Sequence, residues 1–293
     1  MEQRAFGTQG FTVSALGLGA GHIGDPALDE DRAGALLNRA LDLGITLIDT
    51  ARSYGMSEER IGRHLGRRRS QFAISTKVGY GIPGHADWTY GCILAGIDAA
   101  LARLRTDYLD IVHLHSCPLE TLQRGDAIRA LLDARERGKL RVAAYSGEND
   151  ELQWAIESGH FGGVECSVNL FDQRCLERAL PMAQQRGIGV IAKRPLANAP
   201  WRFAARPAGN YCEEYWLRWK AMEPDTFGMD WETLALRFAA YAPAVCSAIV
   251  GTSSIDHLLK NAIRVEAGAL QTGQFESVRK LFRRHGVNWL GQI

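Results

Sequence analysis

Four side chains suited to proton chemistry occur at Asp49, Tyr54, Lys77 and His115. A tyrosine hydroxyl, with an ordinary pKa of about 10, gives up its proton poorly near neutrality unless its anion is stabilised. An ammonium such as that of Lys77 would favour the phenolate, and Asp49 would hold Lys77 charged and aimed. His115 could then orient a carbonyl oxygen beside the phenol. Each residue alone has a plainer explanation: a turn cap for Asp49, a solvated amine for Lys77, a core ring for Tyr54. What makes them one site is their placement, because each stands at or just past the C-terminal end of a strand candidate.

Eight short β-branched or apolar runs are strand candidates: Ala15 to Leu18, Thr46 to Ile48, Phe72 to Thr76, Leu109 to Leu114, Leu140 to Ala144, Val164 to Val168, Gly189 to Ala192 and Ala248 to Val250. Helical periodicity fills the gaps, over Arg32 to Leu43, Glu58 to Leu65, Ile93 to Leu104, Thr121 to Arg137, Glu151 to Glu157, Cys175 to Arg186, Trp231 to Tyr241 and Ile255 to Glu266. Short apolar strands separated by helices imply parallel pairing buried on both faces, and eight such units close into a (β/α)8 TIM barrel of the α/β class. A doubly wound open sheet is the competitor. Against it, Gly17, Gly19 and Gly21 are not followed by the helix start that a dinucleotide fingerprint requires.

Met1 to Val13, with the turn signal Gly7-Thr8-Gln9-Gly10, is expected to form a β-hairpin plugging the barrel floor. Leu196 to Asp230, rich in aromatic residues and carrying a helical stretch from Glu213 to Met222, is a long insertion after the seventh strand. It belongs at the rim, where loop variation sets specificity. The 293 residues form a single domain on this reading, and 46% apolar residues suffice for a substantial core. A net charge of +1, with Arg67 to Arg69 as the densest basic cluster, argues against nucleic acid. Six scattered cysteines without metal-ligand spacing read as reduced structural thiols, and no metal is expected. No targeting segment or membrane span is evident, so a cytoplasmic protein is expected. Oligomeric state is not legible.

The stretch Gly44-Ile-Thr-Leu-Ile-Asp49-Thr-Ala-Arg-Ser-Tyr54-Gly, followed by Ser57-Glu58 and Ile61-Gly62, resembles the first signature of the aldo-keto reductases. Ser75-Thr76-Lys77-Val78, Asp107 to Asp110 leading to His115, Gly138-Lys139-Leu140-Arg141, Val250 to Ser254 and Asn261 extend the resemblance over nearly the whole chain. It implies an eight-stranded barrel that reduces aldehyde or ketone carbonyls with NADP(H) or NAD(H), and a tetrad of Asp49, Tyr54, Lys77 and His115. Ser57 is placed to N-cap the helix after Tyr54, with Glu58 and Glu59 in its first turn.

The resemblance also implies cofactor contacts at Gly19, Ser146, Glu165, Lys193, Arg194, Leu196, Gly251, Thr252, Ser253, His257 and Asn261. Departures concentrate there. Where the family usually has Ser-Asn, Gln and Tyr around the nicotinamide, this chain has Ser146, Gly147, Glu165 and Lys193. Two readings stand: Glu165 pairs with Lys193 at the mouth, or Lys193 and Arg194 line a phosphate or solvent channel. A cation beside the nicotinamide would disfavour the oxidised ring. Gly251 and His257 replace basic residues expected at the 2′-phosphate, yet Thr252, Ser253 and the helix starting at Ser254 could bind it. NADP(H) is therefore preferred over NAD(H).

Trp88, Tyr90, Cys117, Trp201 and Phe203 are expected to wall the pocket for a small carbonyl substrate. Val287 to Ile293, with Trp289, either folds over that pocket or packs on the barrel. Two rival functions remain open: a cofactor-binding sensor or structural subunit with little turnover, and a lyase or isomerase using Lys77 as a Schiff-base amine.

Overall fold

The structure is a computed structural model describing residues 1–293. Two short strands, β1 (Gln3–Ala5) and β2 (Thr12–Ser14), pair antiparallel as the expected hairpin. The barrel then begins with β3 (Leu16–Gly19), α1 (Glu30–Asp42), β4 (Leu47–Asp49), α2 (Ser57–Leu65), β5 (Ala73–Val78) and α3 (Tyr90–Leu104). It continues through β6 (Leu109–His115), α4 (Leu119–Arg124), α5 (Asp126–Glu136), β7 (Leu140–Ser146), α6 (Asn149–Ser158), β8 (Gly163–Ser167), α7 (Ala179–Gln185) and β9 (Gly189–Lys193). The insertion contributes α8 (Glu213–Met222), followed by α9 (Trp231–Ala240), β10 (Ser247–Gly251), α10 (Ile255–Glu266) and α11 (Thr272–His285).

Strands β3 to β10 form one closed parallel barrel, β10 pairing back onto β3 with Ala248 opposite Leu16 and Gly251 opposite Gly19. The strands are buried almost throughout, which is why they read as continuous apolar runs rather than alternating ones. The hairpin seals the floor. Phe6 is fully buried there among Val13, Leu47, Ile111, Ile191 and Ile249. Gly163 and Gly189 make the room: a Cβ on Gly189 would lie 2.6 Å from the Phe6 ring, and one on Gly163 3.1 Å away.

Three local expectations change. The helix expected over Thr121 to Arg137 breaks at Gly125, whose φ of 83° lies in the left-handed region, giving α4 and α5. Cys175 to Arg186 begins as a 3-10 turn over Arg174–Leu176, and α7 starts only at Ala179. Pro181 lies in its first turn, where its missing N–H costs nothing but a longer upstream helix would clash. The fourteen-residue α11, outside the repeat, was not expected; Gln271 and Gln274 start it with reciprocal side-chain caps.

Candidate functional site

The four candidate side chains converge on the barrel mouth. Lys77 Nζ, fully buried, lies 2.5 Å from Asp49 Oδ2 and donates also to the Thr50 carbonyl at 3.1 Å. The same ammonium stands 5.3 Å from the centre of the Tyr54 ring. His115 meets Tyr54 edge-on at 6.3 Å between ring centres. These contacts unite side chains from β4, the loop after it, β5 and β6.

The loop carrying Tyr54 is seated by close backbone approach. A Cβ on Gly24 would fall 1.6 Å from the Tyr54 carbonyl oxygen, and Gly55 adopts φ 53° beside the Gly24 carbonyl. Ser57 does not cap α2 as expected: the N-cap is Met56, which offers no side-chain bond. The Ser57 hydroxyl instead accepts from Thr50 and donates to the Ala20 carbonyl, both at 2.8 Å, tying the loop to the ends of β3 and β4. Glu58 is bound by Thr76 at 2.6 Å and Arg103 at 2.7 Å, fixing α2 against β5 and α3.

Electrostatics refine the expected relay. Lys77 is the strongest influence on Tyr54 and pulls its pKa down, but burial and the charges of Asp49 and Glu165 together push it up to about 12. The resting phenol therefore keeps its proton. Burial opposes the charge on Lys77, yet Asp49 and Glu165 outweigh it and raise the amine above its ordinary value. A permanently charged Lys77 is unsuited to Schiff-base chemistry. Burial, then the nearby Lys77 ammonium, holds His115 down to about 3, a neutral imidazole.

Glu165 is the residue whose place differs most from expectation. It does not pair with Lys193. Its Oε2 lies 3.3 Å from Lys77 Nζ and 3.8 Å from His113 Nε2, and Ser146 donates to its Oε1 at 3.3 Å. Lys193 pairs with Glu148 Oε1 at 3.3 Å. Lys77 is thus bracketed by two buried carboxylates, and Ser75 links Asp49 to His113 through contacts of 2.8 and 2.9 Å. Two carboxylates cannot both be charged beside one ammonium in a buried site without cost, so the Asp49–Glu165 pair retains a proton into the neutral range. Asp49, His113 and Glu165 approach one another closely enough to surround a cation, and Lys77 supplies that charge itself.

Beside Tyr54 opens a cleft of about 530 Å³ running between Gly19, Gly251 and the loop after β9. Arg194, Arg202, His22, Asn198, Asn210 and Tyr211 give it donors, while its one acidic residue, Asp49, is engaged with Lys77. Glycines hold it open: a Cβ on Gly251 would sit 2.7 Å from His22 Nδ1, and one on Gly19 3.3 Å from the Gly251 nitrogen. A donor-rich, glycine-walled cleft fits a polyanionic dinucleotide.

A model of the aldo/keto reductase family matches residues 15–283. The chain belongs to the aldo/keto reductase family. Among related proteins, L-galactose dehydrogenase of Arabidopsis thaliana is 29% identical, covering 90% of this chain and 88% of its own length. The uncharacterized oxidoreductase YqkF of Bacillus subtilis is 27% identical over 95% of this chain and 96% of its own. The holo form of an aldo-keto reductase from Bacillus halodurans superposes with a TM-score of 0.82 at 27% identity, covering 96% of both chains. The protein is accordingly an oxidoreductase of this family, whose members act on small carbonyl compounds with nicotinamide cofactors. No helix is long and apolar enough to cross a membrane.

Within this aldo/keto reductase, the expected cofactor residues separate into two groups. Gly19, Arg194, Leu196 and Gly251 line the cleft. Ser146, Glu165 and Lys193 instead spend their polar atoms on internal partners, Ser146 on Glu165, Glu165 on Lys77 and Lys193 on Glu148. Thr252 accepts from the Ser254 nitrogen at 3.0 Å, and Ser254 N-caps α10 by accepting from His257. Ser253 and His257 are not deeply buried, while buried Asn261 accepts from Arg264 at 3.4 Å.

The expected pocket wall needs more correction. Trp88 packs edge-on against Tyr80 at 5.8 Å, one side chain away from His115. Tyr90 turns outward, its hydroxyl donating to Asp133 of α5 at 2.6 Å, because Thr89 caps α3 and starts the helix there. Cys117 is fully buried in the core, its thiol pushed up to about 12 by burial. Trp201 stacks on Trp231 at 5.7 Å and donates to Glu232, and the Phe203 carbonyl accepts from Trp216. Trp201 thus anchors the insertion, and neither it nor Phe203 lines the cleft. All six cysteines are free and buried.

The sequence reading missed Tyr80, His113, Glu148, Arg202 and Tyr211. His113 and His115 are two residues apart on one strand, so they share a face, which was the available signal for His113. The C-terminal segment reaches the rim. The Gln292 nitrogen donates to Asp172 at 2.9 Å, and its carbonyl accepts from Arg194, while Trp289 packs on Phe282 of α11.

Proposed function

We propose that this aldo/keto reductase is an NADP(H)-dependent carbonyl reductase with Tyr54 as general acid. The observation that carries this reading is the buried Lys77–Asp49 pair beside Tyr54, with His115 edge-on to the same ring. Bound reduced nicotinamide would supply the hydride. Tyr54 would give its proton to the carbonyl oxygen, Lys77 would stabilise the phenolate left behind, and Asp49 would keep Lys77 aimed at it. His115 would donate a hydrogen bond that orients the same oxygen. Gly19, Arg194, Leu196 and Gly251 would hold the cofactor, Arg194 and Arg202 meeting its phosphates, with Thr252, Ser253 and the start of α10 as a further phosphate contact.

NADP(H) is chosen over NAD(H) because Thr252, Ser253 and the N-terminus of α10 offer donors to a 2′-phosphate, and steady-state kinetics with both cofactors tests that choice. The reading as a whole is tested by following oxidation of NADPH in the presence of a panel of aldehydes and ketones. A second reading, a cofactor-binding barrel with little turnover, is favoured by the internal engagement of Ser146, Glu165 and Lys193. Single-turnover oxidation of bound NADPH separates the two: tight binding without oxidation by any carbonyl would select the second.

A further inference from the structure

Tyr80 lies three residues beyond Lys77, in the loop between β5 and α3. Its hydroxyl oxygen is 2.8 Å from His115 Nδ1. Its ring stacks on the imidazole with centres 5.6 Å apart and planes inclined by 24°. Trp88 packs edge-on against the Tyr80 ring, with centres 5.8 Å apart. The loop is shaped around this contact. A Cβ on Gly79, at φ 151°, would lie 2.1 Å from the Trp88 ring, and Trp88 itself holds φ 63° while its nitrogen donates to the Gly79 carbonyl at 2.7 Å. Gly81 is fixed in turn by donating to Asp87 at 2.9 Å. Backbone strain of this kind persists only where surrounding contacts over-determine it.

A neutral imidazole carries one N–H, and the partner of one nitrogen decides which nitrogen bears it. Were the proton on Nδ1, the Tyr80 oxygen would have to accept it, leaving the Tyr80 hydrogen without this partner. Nε2 would then present a lone pair, which repels a carbonyl oxygen. A hydroxyl donating to Nδ1 reverses both outcomes.

We propose that Tyr80 is a positioning residue for His115, its hydroxyl donating to Nδ1 and thereby fixing the tautomer that carries the proton on Nε2. The inference rests on the carbonyl-reductase reading for its consequence, since Nε2–H is the donor that a substrate oxygen needs. Tyr80→Phe keeps the stacked ring and deletes the donor.

The test is ¹⁵N NMR of histidine-labelled protein, with the His115 signals identified by their loss in His115→Gln. The wild type is expected to show an unprotonated, hydrogen-bonded Nδ1 and a protonated Nε2; Tyr80→Phe is expected to show a mixture of tautomers. Carbonyl reduction by that variant should fall in kcat by about 10- to 100-fold, the range for losing a group that orients a functional imidazole, with KM for NADPH unchanged. A proton on Nδ1 in the wild type would overturn the proposal, as would full retention of the Nε2 tautomer in Tyr80→Phe. The wild-type spectrum decides even if the variant does not fold. It needs no turnover, so an inactive wild type would sink the reductase reading separately.

Discussion

Tyr54→Phe isolates the proton from everything else the tyrosine does. The ring that Lys77 approaches at 5.3 Å and His115 meets at 6.3 Å is retained, and one hydroxyl is lost. Deleting one hydrogen-bonding group costs about 1 kcal/mol or less of stability. The cost in the transition state is larger: a positioned general acid contributes about 10²- to 10⁴-fold, which at 1.36 kcal/mol per decade is about 2.7–5.4 kcal/mol. Single-turnover oxidation of bound NADPH by an aldehyde should slow by that factor, while fluorescence titration shows the cofactor bound as before. Because Tyr54 is pushed up to about 12, wild-type reduction should not lose its proton donor through the neutral and mildly alkaline range. Turnover in Tyr54→Phe equal to wild type would refute Tyr54 as the donor, and equal loss of cofactor binding would show that the residue acts by packing.

Above a pH of about 8, where Asp49 is ionised together with Glu165, Glu165→Gln removes one of the charges that push Tyr54 up, so the phenol should ionise more readily; alcohol oxidation, which uses the phenolate as base, should quicken on the order of tenfold at a fixed alkaline pH and its profile should move toward lower pH. An unmoved profile would mean that Glu165 has no hold on Tyr54. Gly189→Ala places a Cβ 2.6 Å from the Phe6 ring and should destabilise by about 1–3 kcal/mol in urea unfolding, with part of the loss recovered by adding Phe6→Leu. Strict additivity of the two changes would contradict the floor packing. Glu30 is held down to about 2, with His64 first among its causes and Arg60 and Arg63 contributing further bonds. A carboxylate with a depressed pKa stabilises above its ordinary 4.5 and loses that contribution as pH falls through about 2, so the thermal-stability gap between wild type and Glu30→Gln should be full at neutrality and close on acidification.

The barrel was legible because short continuous apolar runs alternate with stretches of helical period, and the convergence of Asp49, Tyr54, Lys77 and His115 was legible because active groups of this fold gather at strand ends. Glu165 was misplaced for a related reason. A strand buried on both faces gives no alternation, so nothing local says that Glu165 points into the barrel toward Lys77 rather than out to Lys193. Tyr90 was misassigned although Thr89 carried a legible signal, a threonine three residues before the first capped nitrogen, at Cys92. Trp201 and Phe203 could not be placed because an aromatic insertion is equally consistent with a pocket wall and with its own small core, and Trp219 and Trp231 complete the latter. Tyr80 announces itself only through the three-dimensional approach of its loop to β6.

The sealed floor also bears on how the chain is made. Phe6 is synthesised well before Ile191 and Ile249, which share its cluster, and Arg4 bonds the carbonyls of Ala240 and Val245. The hairpin must therefore wait, with an aromatic side chain uncovered, until β10 has been synthesised. Contacts so distant in sequence close slowly and leave a partly built barrel open to misassociation. Nascent chains halted before β10 should bind holdase chaperones through this hairpin, and release them once Ala248 pairs with Leu16.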